Sequence, residues 1–257
     1  MQNTIILGID IGGTKIKGIA VNDKNKKVAD FEIKTPKNKK DFLTALKREI
    51  SGISTNYKIS GIGAGLAGIV DVKKGKLIKA PNLPFLNNWT AKSFFSKFCK
   101  NIEVDNDSRC FLLAESKFGA GRKYRNIVGL AIGTGIGGAI MINGEIQYGA
   151  NFSAGEVGYM VIDKEKTLEF LGAKKAFLKH GDRSEIIGIG VANLINILNP
   201  QAIILGGGGV TSGGVDVNVV KKNVQKYVMS PLAKKTPIVK AWLGNEAQAI
   251  GATLLIK

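Results

Sequence analysis

An acidic residue and a glycine-rich turn follow the first apolar stretch of the chain. Asp10 comes first, then Gly12-Gly13-Thr14-Lys15, and a second apolar stretch begins. Such a turn points backbone N–H groups at an anion, and glycine lets phosphate oxygens approach closely. Mg²⁺ keeps several waters and takes only one or two carboxylates. We therefore predict a phosphate site in which Asp10 holds Mg²⁺ through water and Thr14 adds a hydroxyl donor.

The same pattern occurs a second time. Ile127–Asn143 lines up without a gap on Ile6–Asn22, with six identical positions. Its turn contains Gly133, Thr134 and Gly135, but Ala131 stands where the first copy has Asp10. We expect this copy to offer backbone donors and the Thr134 hydroxyl without a carboxylate. Two ordinary glycine-rich turns are the alternative, and the duplication argues against it.

Neither turn fits the two familiar nucleotide-binding motifs. A Walker A loop needs Gly-Lys-Ser/Thr at the start of a helix, whereas Gly13-Thr14-Lys15 precedes a strand-like stretch. A dinucleotide fingerprint also needs a helix after its glycines. Here the apolar residues 139–142 follow, and Asn143-Gly144 then gives a strong hairpin signal. Both turns are therefore predicted to join the strands of β-hairpins.

Length and composition indicate a folded α/β protein. The chain has 257 residues, of which 44% are hydrophobic, and 33 glycines. This length suits one large domain or two ordinary ones, and the repeat favours two related halves with a cleft between them. Cys99 and Cys110 are too few for a disulfide framework. Because no apolar run approaches the roughly 18 residues that span a bilayer, and because we find no signal peptide, we expect a cytoplasmic protein without a membrane partner.

The formal net charge of +17 raises the question of nucleic-acid binding. The lysines are scattered over presumed turns and helix faces, without an aromatic-interleaved basic stripe or a zinc knuckle. We interpret them as a solvated basic surface that concentrates anionic ligands, and we expect no nucleic-acid partner.

The spacing of apolar residues predicts alternating strands and helices. Thr90 is expected to cap one helix, and Asn245 is expected to cap the last helix. Pro81-Asn82-Leu83-Pro84 is expected to be a loop. Strands are predicted over 4–10, 17–21, 28–34, 59–65, 70–78 (a hairpin), 102–104, 201–205 and 238–242, and helices over 41–51, 90–100, 108–118, 168–178, 184–198, 218–228 and 246–255.

Four motifs occur in a fixed order along the chain. They are Gly8-Ile9-Asp10 with the turn through Lys15, Asp105-Asn106-Asp107, Gly133–Gly138 and Gly155-Glu156-Val157-Gly158. Together they resemble the ROK family (repressors, open reading frames, kinases) of the actin/hexokinase-type ATPases, from about residue 4 to residue 253. The resemblance implies two ribonuclease-H-like domains, 1–117 with 243–257 and 118–242, with sugar and ATP meeting in the cleft. It also implies Mg²⁺-dependent transfer of the ATP γ-phosphate to a hexose, with the 6-hydroxyl of glucose as the leading acceptor, and a homodimer.

The resemblance also implies roles for single residues. Asp107 would be the general base that takes the proton of the sugar hydroxyl; the alternative is that it only caps the helix expected at Ser108. Asn82 would contact the sugar, or form an Asx-turn instead. The sugar-binding set is Gly68, Asn82, Asn106, Asp107, Glu156, Tyr159 and Glu169, and the ATP and phosphate set is Asp10, Gly12, Gly13, Thr14, Lys15, Gly133, Thr134, Gly135, Gly207 and Gly208.

Three departures from the family pattern affect the expected substrate. Tyr159 stands where the family has histidine, and the family's cysteine-rich zinc loop is absent, so we expect no zinc. The stretch from Glu169 to Ser184 is short for the family, and His180 within it is expected at a surface helix end. A polyphosphate donor, a fructose or N-acetylhexosamine acceptor, and a non-catalytic sugar sensor stay as alternatives. A repressor is less expected, because only three residues precede Thr4.

Overall fold

The computed structural model describes residues 3–174, 176 and 182–257. The chain divides into two compact units, Met1–Ala114 with Glu246–Lys257, and Glu115–Asn245. The domain boundaries inferred from the sequence, after residue 117 and before residue 243, stay a proposal. His180 and part of the helix expected over 168–178 lie outside the described residues.

The first unit is built on strands with helices packed against them. Its strands are β1 (Asn3–Ile11), β2 (Lys15–Val21), β3 (Lys27–Lys34), β4 (Tyr57–Leu66), β5 (Ile69–Asp71), β6 (Lys76–Lys79), β7 (Trp89–Thr90) and β8 (Asn101–Asn106). Its helices are α1 (Lys39–Asn56), α2 (Ala91–Phe95) and the start of α3 (Asp107–Phe118), and the chain end adds α8 (Ala247–Thr253).

A five-stranded mixed sheet organises this unit. Its order is β3-β2-β1-β4-β8, with β1, β4 and β8 parallel and β2 and β3 antiparallel to their neighbours. Alternate residues of β1, such as Leu7 and Ile9, are fully buried, which is the period expected of a strand. Phe42 of α1 packs edge-on against Trp89, with ring centroids 5.5 Å apart. Residues of the sheet and of α1 therefore belong to one buried hydrophobic core.

The second unit repeats this plan. Its strands are β9 (Ile127–Ile132), β10 (Ile136–Ile142), β11 (Glu145–Ile146), β12 (Val161–Asp163), β13 (Lys166–Thr167), β14 (Ala202–Gly206) and β15 (Ile238–Lys240). Its helices, besides the end of α3, are α4 (Leu168–Gly172), α5 (Ser184–Leu198), α6 (Gly208–Thr211) and α7 (Val217–Tyr227). The sheet order is β11-β10-β9-β14-β15, with β9, β14 and β15 parallel. None of the described helices in either unit is both long and apolar enough to cross a bilayer.

The internal repeat is therefore a repeat of topology, although the alignment without a gap was wrong in one detail. In the first unit Ile11 pairs with Ile16, so four residues form the turn. In the second unit Ile132 pairs with Ile136, so only three residues, Gly133 to Gly135, lie between the strands. The one-residue difference lies in the turn, where a length change does not disturb the buried strands.

Two expected helix starts differ from the structure. The helix expected over 90–100 is the five-residue α2 followed by turns, and the Thr90 side chain makes no capping hydrogen bond. The last helix starts at Ala247 after a short 3₁₀ turn over Gly244–Glu246, so Asn245 is not its cap. In contrast, Asn143 and Gly144 both have positive φ, as the predicted hairpin between β10 and β11 requires.

Glu115 is a buried carboxylate that joins two backbone segments of the second unit to α3. Its side chain is fully buried. Oε1 accepts hydrogen bonds from the N–H groups of Trp242 (3.0 Å) and Leu243 (2.9 Å), and Oε2 accepts from Ala120 (2.8 Å). These bonds fix the turn after α3 and the segment that leaves β15. A buried charge is tolerated only where hydrogen bonds replace water in this way.

We expect Glu115→Gln to destabilise the protein by about 2 kcal/mol or more. The amide would turn an N–H donor toward backbone N–H groups that need an acceptor. Urea unfolding of the variant measures the loss. The exposed Glu103→Gln is the matched control and should change stability by less than about 0.5 kcal/mol. Equal stability of the two variants would contradict the role given to Glu115.

Candidate active site

Two carboxylates meet at the carboxyl edge of the first sheet. Asp10 of β1 pairs with Gly65 of β4, and the next residue of β4, Leu66, pairs with Asn106 of β8. Asp107 follows Asn106 as the first residue of α3. Because parallel strands end at the same sheet edge, the fold brings Asp10 and Asp107 together, although they are far apart in sequence. The Asp107 charge is close enough to raise the pKa of Asp10.

Asn106, and not Asp107, caps α3. Asn106 Oδ1 accepts hydrogen bonds from the N–H groups of Ser108 (2.9 Å) and Arg109 (3.3 Å). These are the second and third residues of the helix, the usual donors to an N-cap side chain. Asp107 Oδ1 accepts a bond from the N–H of Ser108 at 2.9 Å, while no group among the described residues donates to Asp107 Oδ2. Asn106 therefore accepts both usual capping bonds, Asp107 accepts one bond at the same helix start, and the role of Asp107 as general base stays a prediction.

Burial shifts the pKa of both carboxyl groups upward. For Asp107, burial raises the pKa and the Ser108 N–H lowers it. For Asp10, burial and then the charge of Asp107 raise the pKa to about 8, against the lowering effect of Lys17. Two carboxylates placed this close resist joint ionisation unless a cation accompanies them. The pair is therefore a place where positive charge is favoured.

Lys17 is a site residue that was not predicted from the sequence. It is the cross-strand partner of Asp10 in the hairpin, and its Nζ lies 3.1 Å from Glu32 Oε2. Its side chain is only 17% exposed. The pairing of position 10 with position 17 depends on the length of the turn, which the structure shows to be four residues and the sequence did not specify. Lys15, which was assigned to phosphate, forms an ion pair with Glu32 here, and its assignment stays a prediction.

The first glycine turn has backbone donors to offer. Gly12 donates to the carbonyl of Lys15 (3.0 Å), and the Thr35 hydroxyl donates to the Gly12 carbonyl (2.7 Å). These bonds fix the turn from both sides. Within the described part of the chain no group accepts a hydrogen bond from the N–H of Gly13 or Thr14. Two adjacent N–H groups in a fixed turn are the arrangement that binds phosphate oxygens.

Three residues of the predicted sugar set lie near this turn in the first unit. Asn106 Nδ2 donates to the carbonyl of Gly68 at 3.0 Å, so the capping residue also fixes that turn. Gly68 has φ +145°, and a β-carbon there would collide with the carbonyl of Lys79. Asn82 is exposed and lies against Gly13, where an added β-carbon would come within 2.8 Å of Asn82 Cβ. Asn82 therefore lies beside the first glycine turn, and its contact with sugar stays a prediction.

The second glycine turn is fixed by a carboxylate. Gly133 donates to the carbonyl of Gly135 at 2.8 Å. Glu169, in the first turn of α4, accepts a 2.7 Å hydrogen bond from the N–H of Ile136. A β-carbon on Gly135 would collide with the Glu169 carboxylate, so only glycine fits there. Among the described residues no group accepts from the N–H of Thr134 or Gly135.

The remaining predicted sugar residues lie together in the second unit. Tyr159 is 59% exposed, and its pKa is raised by partial burial and then by the charges of Glu169 and Glu156. Glu156 is exposed and precedes the short 3₁₀ turn that contains Tyr159. The three side chains thus form one polar group beside the second glycine turn. The predicted sugar set is divided between the two units, and each half is locally assembled.

A buried arginine, Arg183, lies beside the glycine-rich segment Gly206–Gly209 that follows β14. Gly207 has φ +85° and lies against the backbone of Ile132, and Gly208 begins α6. Arg183 is buried and donates to the carbonyls of Gly172 (2.9 Å) and Gly214 (3.3 Å). It therefore joins the end of α4 to the segment after α6. The role of Arg183 was not predicted, because nothing in its spacing shows that it is buried.

The donor chemistry of the first unit fits magnesium. Asp10 offers a hard oxygen ligand, of the kind that Mg²⁺ prefers. In the residues that the structure describes, no group of three His, Cys, Asp or Glu side chains is arranged to hold a metal. A site that binds Mg²⁺ together with phosphate needs only one or two carboxylates. Asp10 is therefore enough to serve as the carboxylate of such a site.

Comparison with known proteins decides the family. The sequence matches the ROK family over residues 6–178 and 172–257. The chain belongs to the ROK family. It is 28% identical to a glucokinase of Halalkalibacterium halodurans, over all of this chain and 96% of that protein. It is 27% identical to the xylose repressor of Bacillus spizizenii, over 97% of this chain and 76% of the repressor.

Solved structures confirm the fold predicted from the sequence. A ROK family glucokinase from Streptomyces griseus, in complex with glucose and AMPPNP, superposes with a TM-score of 0.87 at 22% identity, over 98% of this chain and 99% of that one. An inorganic polyphosphate/ATP-glucomannokinase from an Arthrobacter strain gives 0.79 at 26% identity, over 98% of both chains. The protein is therefore an α/β member of the actin/hexokinase-type ATPase superfamily.

The pKa of Asp10 predicts how stability depends on pH without metal. Between pH 3.8 and about 8 the folded protein keeps a proton that the unfolded chain releases. Stability should fall as pH rises through that window, by at most about 1.4 kcal/mol per pH unit for one proton, and level off above it. Asp10→Asn should flatten this dependence and be more stable than wild type near pH 8. Urea unfolding from pH 5 to 9 tests this, and parallel curves for the two proteins would refute it.

Proposed function

We propose that the chain transfers the γ-phosphate of ATP to the 6-hydroxyl of glucose, with Asp107 as general base. The observation that carries this proposal is the division of work at the start of α3, where Asn106 caps the helix and Asp107 Oδ2 has no donor among the described residues. A carboxylate held in place at one oxygen and open at the other is suited to accept a proton from a hydroxyl.

The raised pKa of Asp107 also supports this role. A sugar hydroxyl is a poor nucleophile, and a general base within hydrogen-bond reach removes its proton as the bond to phosphorus forms. A carboxylate with a raised pKa is a stronger base than an ordinary aspartate while it stays ionised. Asp107 is therefore proposed to hold the acceptor hydroxyl through Oδ2 and to take its proton.

The two glycine turns are proposed to hold phosphate. The N–H groups of Gly13 and Thr14 in one unit, and of Thr134 and Gly135 in the other, would donate to phosphate oxygens. Asp10 would hold Mg²⁺ through water, and a bound ion would supply positive charge against the charge that develops on the transferring phosphoryl group. Gly207 and Gly208 are proposed for the adenosine side.

Sugar recognition is proposed to use both halves of the predicted set. Glu156, Tyr159 and Glu169 offer carboxylate acceptors and a phenol that both donates and accepts. Asn82, Asn106 and Gly68 are proposed for the other half of the sugar contacts. Tyr159 takes the position of the family histidine, so the choice among glucose, fructose and N-acetylhexosamines depends on this group of side chains. A homodimer in the cytoplasm completes the proposal.

Two alternatives have support from relatives. The polyphosphate/ATP-glucomannokinase of Arthrobacter makes polyphosphate a second candidate donor for this basic chain. The xylose repressor of B. spizizenii makes a sugar-binding protein without turnover a second candidate function. Phosphorylation of glucose, mannose, fructose, N-acetylglucosamine and N-acetylmannosamine, each with ATP and with polyphosphate, separates these possibilities. No turnover with any pair, while sugar still binds, would favour the sensor.

We expect Asp107→Asn to lower kcat by at least about 10²-fold with little change in KM. Asparagine is as good a helix cap as aspartate, so the substitution removes the base and spares any capping function. The exposed Asp23→Asn serves as the matched control and should keep wild-type turnover. Steady-state kinetics with the preferred sugar measures both. Near-normal kcat in Asp107→Asn would contradict the assignment of the base.

A further inference from the structure

Four large apolar side chains are exposed in adjoining segments of the second unit, which the hydrogen bonds of Asn196 join. Ile197 at the end of α5 is 73% exposed, Tyr227 at the end of α7 is 43% exposed, and Met229 and Leu232 in the following turn are 89% and 80% exposed. We call these four residues the apolar tip. Single exposed apolar residues are common on protein surfaces, but a group of large ones usually marks a contact surface.

Lysines flank the apolar tip along the chain. Between Val217 and Asn245 the chain has six lysines and no aspartate or glutamate. Five of them, which we call the basic ring, are Lys221, Lys222, Lys226, Lys234 and Lys235. None of the five forms an ion pair within the described residues. The Tyr227 hydroxyl, and to a smaller degree the Glu185 carboxylate, raise the pKa of Lys226.

A cavity opens within the basic ring. It has a volume of about 340 Å³, and Lys221, Lys234 and Lys235 line it together with Thr236 and Pro237. This volume is at the lower end of the range for small-molecule sites. Three lysines among the lining residues, with no acidic residue, favour an anionic occupant.

Hydrogen bonds hold the apolar tip in place. Asn196 Nδ2 donates to the carbonyl of Tyr227 at 3.1 Å, and Asn196 Oδ1 accepts from the N–H of Met229 at 3.0 Å. Lys234 donates its N–H to the carbonyl of Ser230, and Gln225 Nε2 donates to the carbonyl of Lys234 at 2.9 Å. The exposed side chains are thus presented by a fixed turn. Little ordering is needed when a partner binds.

The turn with Met229 and Leu232 lies at the opposite end of the second sheet from Gly207 and Gly208, which are proposed for the adenosine side. The turn that carries Met229 and Leu232, with Lys234 and Lys235 after it, leads into β15, which is parallel to β14. Gly207 and Gly208 follow β14, at its carboxyl end. Because parallel strands share one polarity, the two features are at opposite edges of the sheet. A ligand at the tip therefore leaves the nucleotide segments accessible.

We propose that the apolar tip and the basic ring dock this protein on an anionic lipid bilayer. Met229 and Leu232 would enter the boundary between head groups and acyl chains, where apolar side chains are favoured. The lysines would lie at the level of the lipid phosphates, and each basic group near an anionic surface adds to the attraction. The cavity would take a single phosphate head group.

Other occupants fit the surface less well. A second copy related by twofold symmetry would place one basic ring against another, and like charges across an interface oppose association. A nucleic acid would satisfy the lysines but would give the exposed Met229 and Leu232 no apolar contact. The absence of a long apolar run argued against a membrane partner, but peripheral docking requires no such run.

Sedimentation of the full-length protein with vesicles tests the proposal. Vesicles of phosphatidylcholine alone are compared with vesicles that also contain phosphatidylglycerol. Met229→Ser with Leu232→Ser removes the apolar contact, and Lys221→Glu, Lys234→Glu and Lys235→Glu reverse the basic ring. The matched control, Lys37→Glu, Lys39→Glu and Lys40→Glu, makes the same charge change at exposed positions of the first unit. All substitutions are at partly or fully exposed positions, and unfolding midpoints check that each variant folds.

We expect wild type and the control variant to bind only the anionic vesicles, and both tip and ring variants to bind at least about tenfold more weakly. Failure of wild type to bind would overturn the proposal. If the tip variant binds anionic vesicles as tightly as wild type, charge attraction alone explains binding, and the proposal is overturned. If the control variant loses as much affinity as the ring variant, the effect is one of total charge, and the proposal is also overturned. A dimer in light scattering that the tip variant abolishes would assign the surface to a second copy instead.

Discussion

The closeness of two carboxyl groups at one sheet edge is the constraint on which the site depends. Asp10 and Asp107 are both partly buried, and each is more easily protonated than an ordinary aspartate. Burial alone would make such a pair unfavourable, and Lys17 offsets only part of the cost. The arrangement makes physical sense where a cation accompanies the substrate, because the cation then restores the charge balance.

The duplicated sheet explains why the two units differ at equivalent positions. Each unit places a glycine turn after its first strand, and each turn has backbone N–H groups without protein acceptors among the described residues. Only the first unit has a carboxylate there, because Ala131 takes the equivalent position in β9. In the second unit Glu169 approaches the turn from α4 and accepts a hydrogen bond from Ile136. The repeated topology thus carries two different functional groups.

The elements that regular burial determines could be predicted from the sequence, and several polar contacts could not. The strands of both sheets were expected, because alternating and continuous apolar runs specify them. The predicted length of α2 and the predicted cap of the last helix were wrong, because short helices depend on tertiary contacts more than on local signals. The capping role of Asn106 was missed, because two adjacent side chains can both cap and only the backbone shows which one does.

Glu115 and Arg183 were also missed, because burial of a charged residue leaves no pattern in sequence. The same limit applies to the basic surface: the scattered lysines were interpreted as a solvated surface, and the fold brings Lys221, Lys234 and Lys235 to one cavity.

The Mg²⁺ dependence of phosphoryl transfer tests the central claim that Asp10 and Asp107 have different tasks. Initial rates are measured against Mg²⁺ at fixed ATP and sugar for wild type, Asp10→Asn and Asp107→Asn. We predict that Asp10→Asn raises the half-saturating Mg²⁺ concentration by about tenfold, the lower end of the range for losing an outer-shell partner of a bound metal. Asp107→Asn should leave that concentration unchanged while the maximal rate falls. Equal shifts in both variants, or in neither, would contradict the division of tasks.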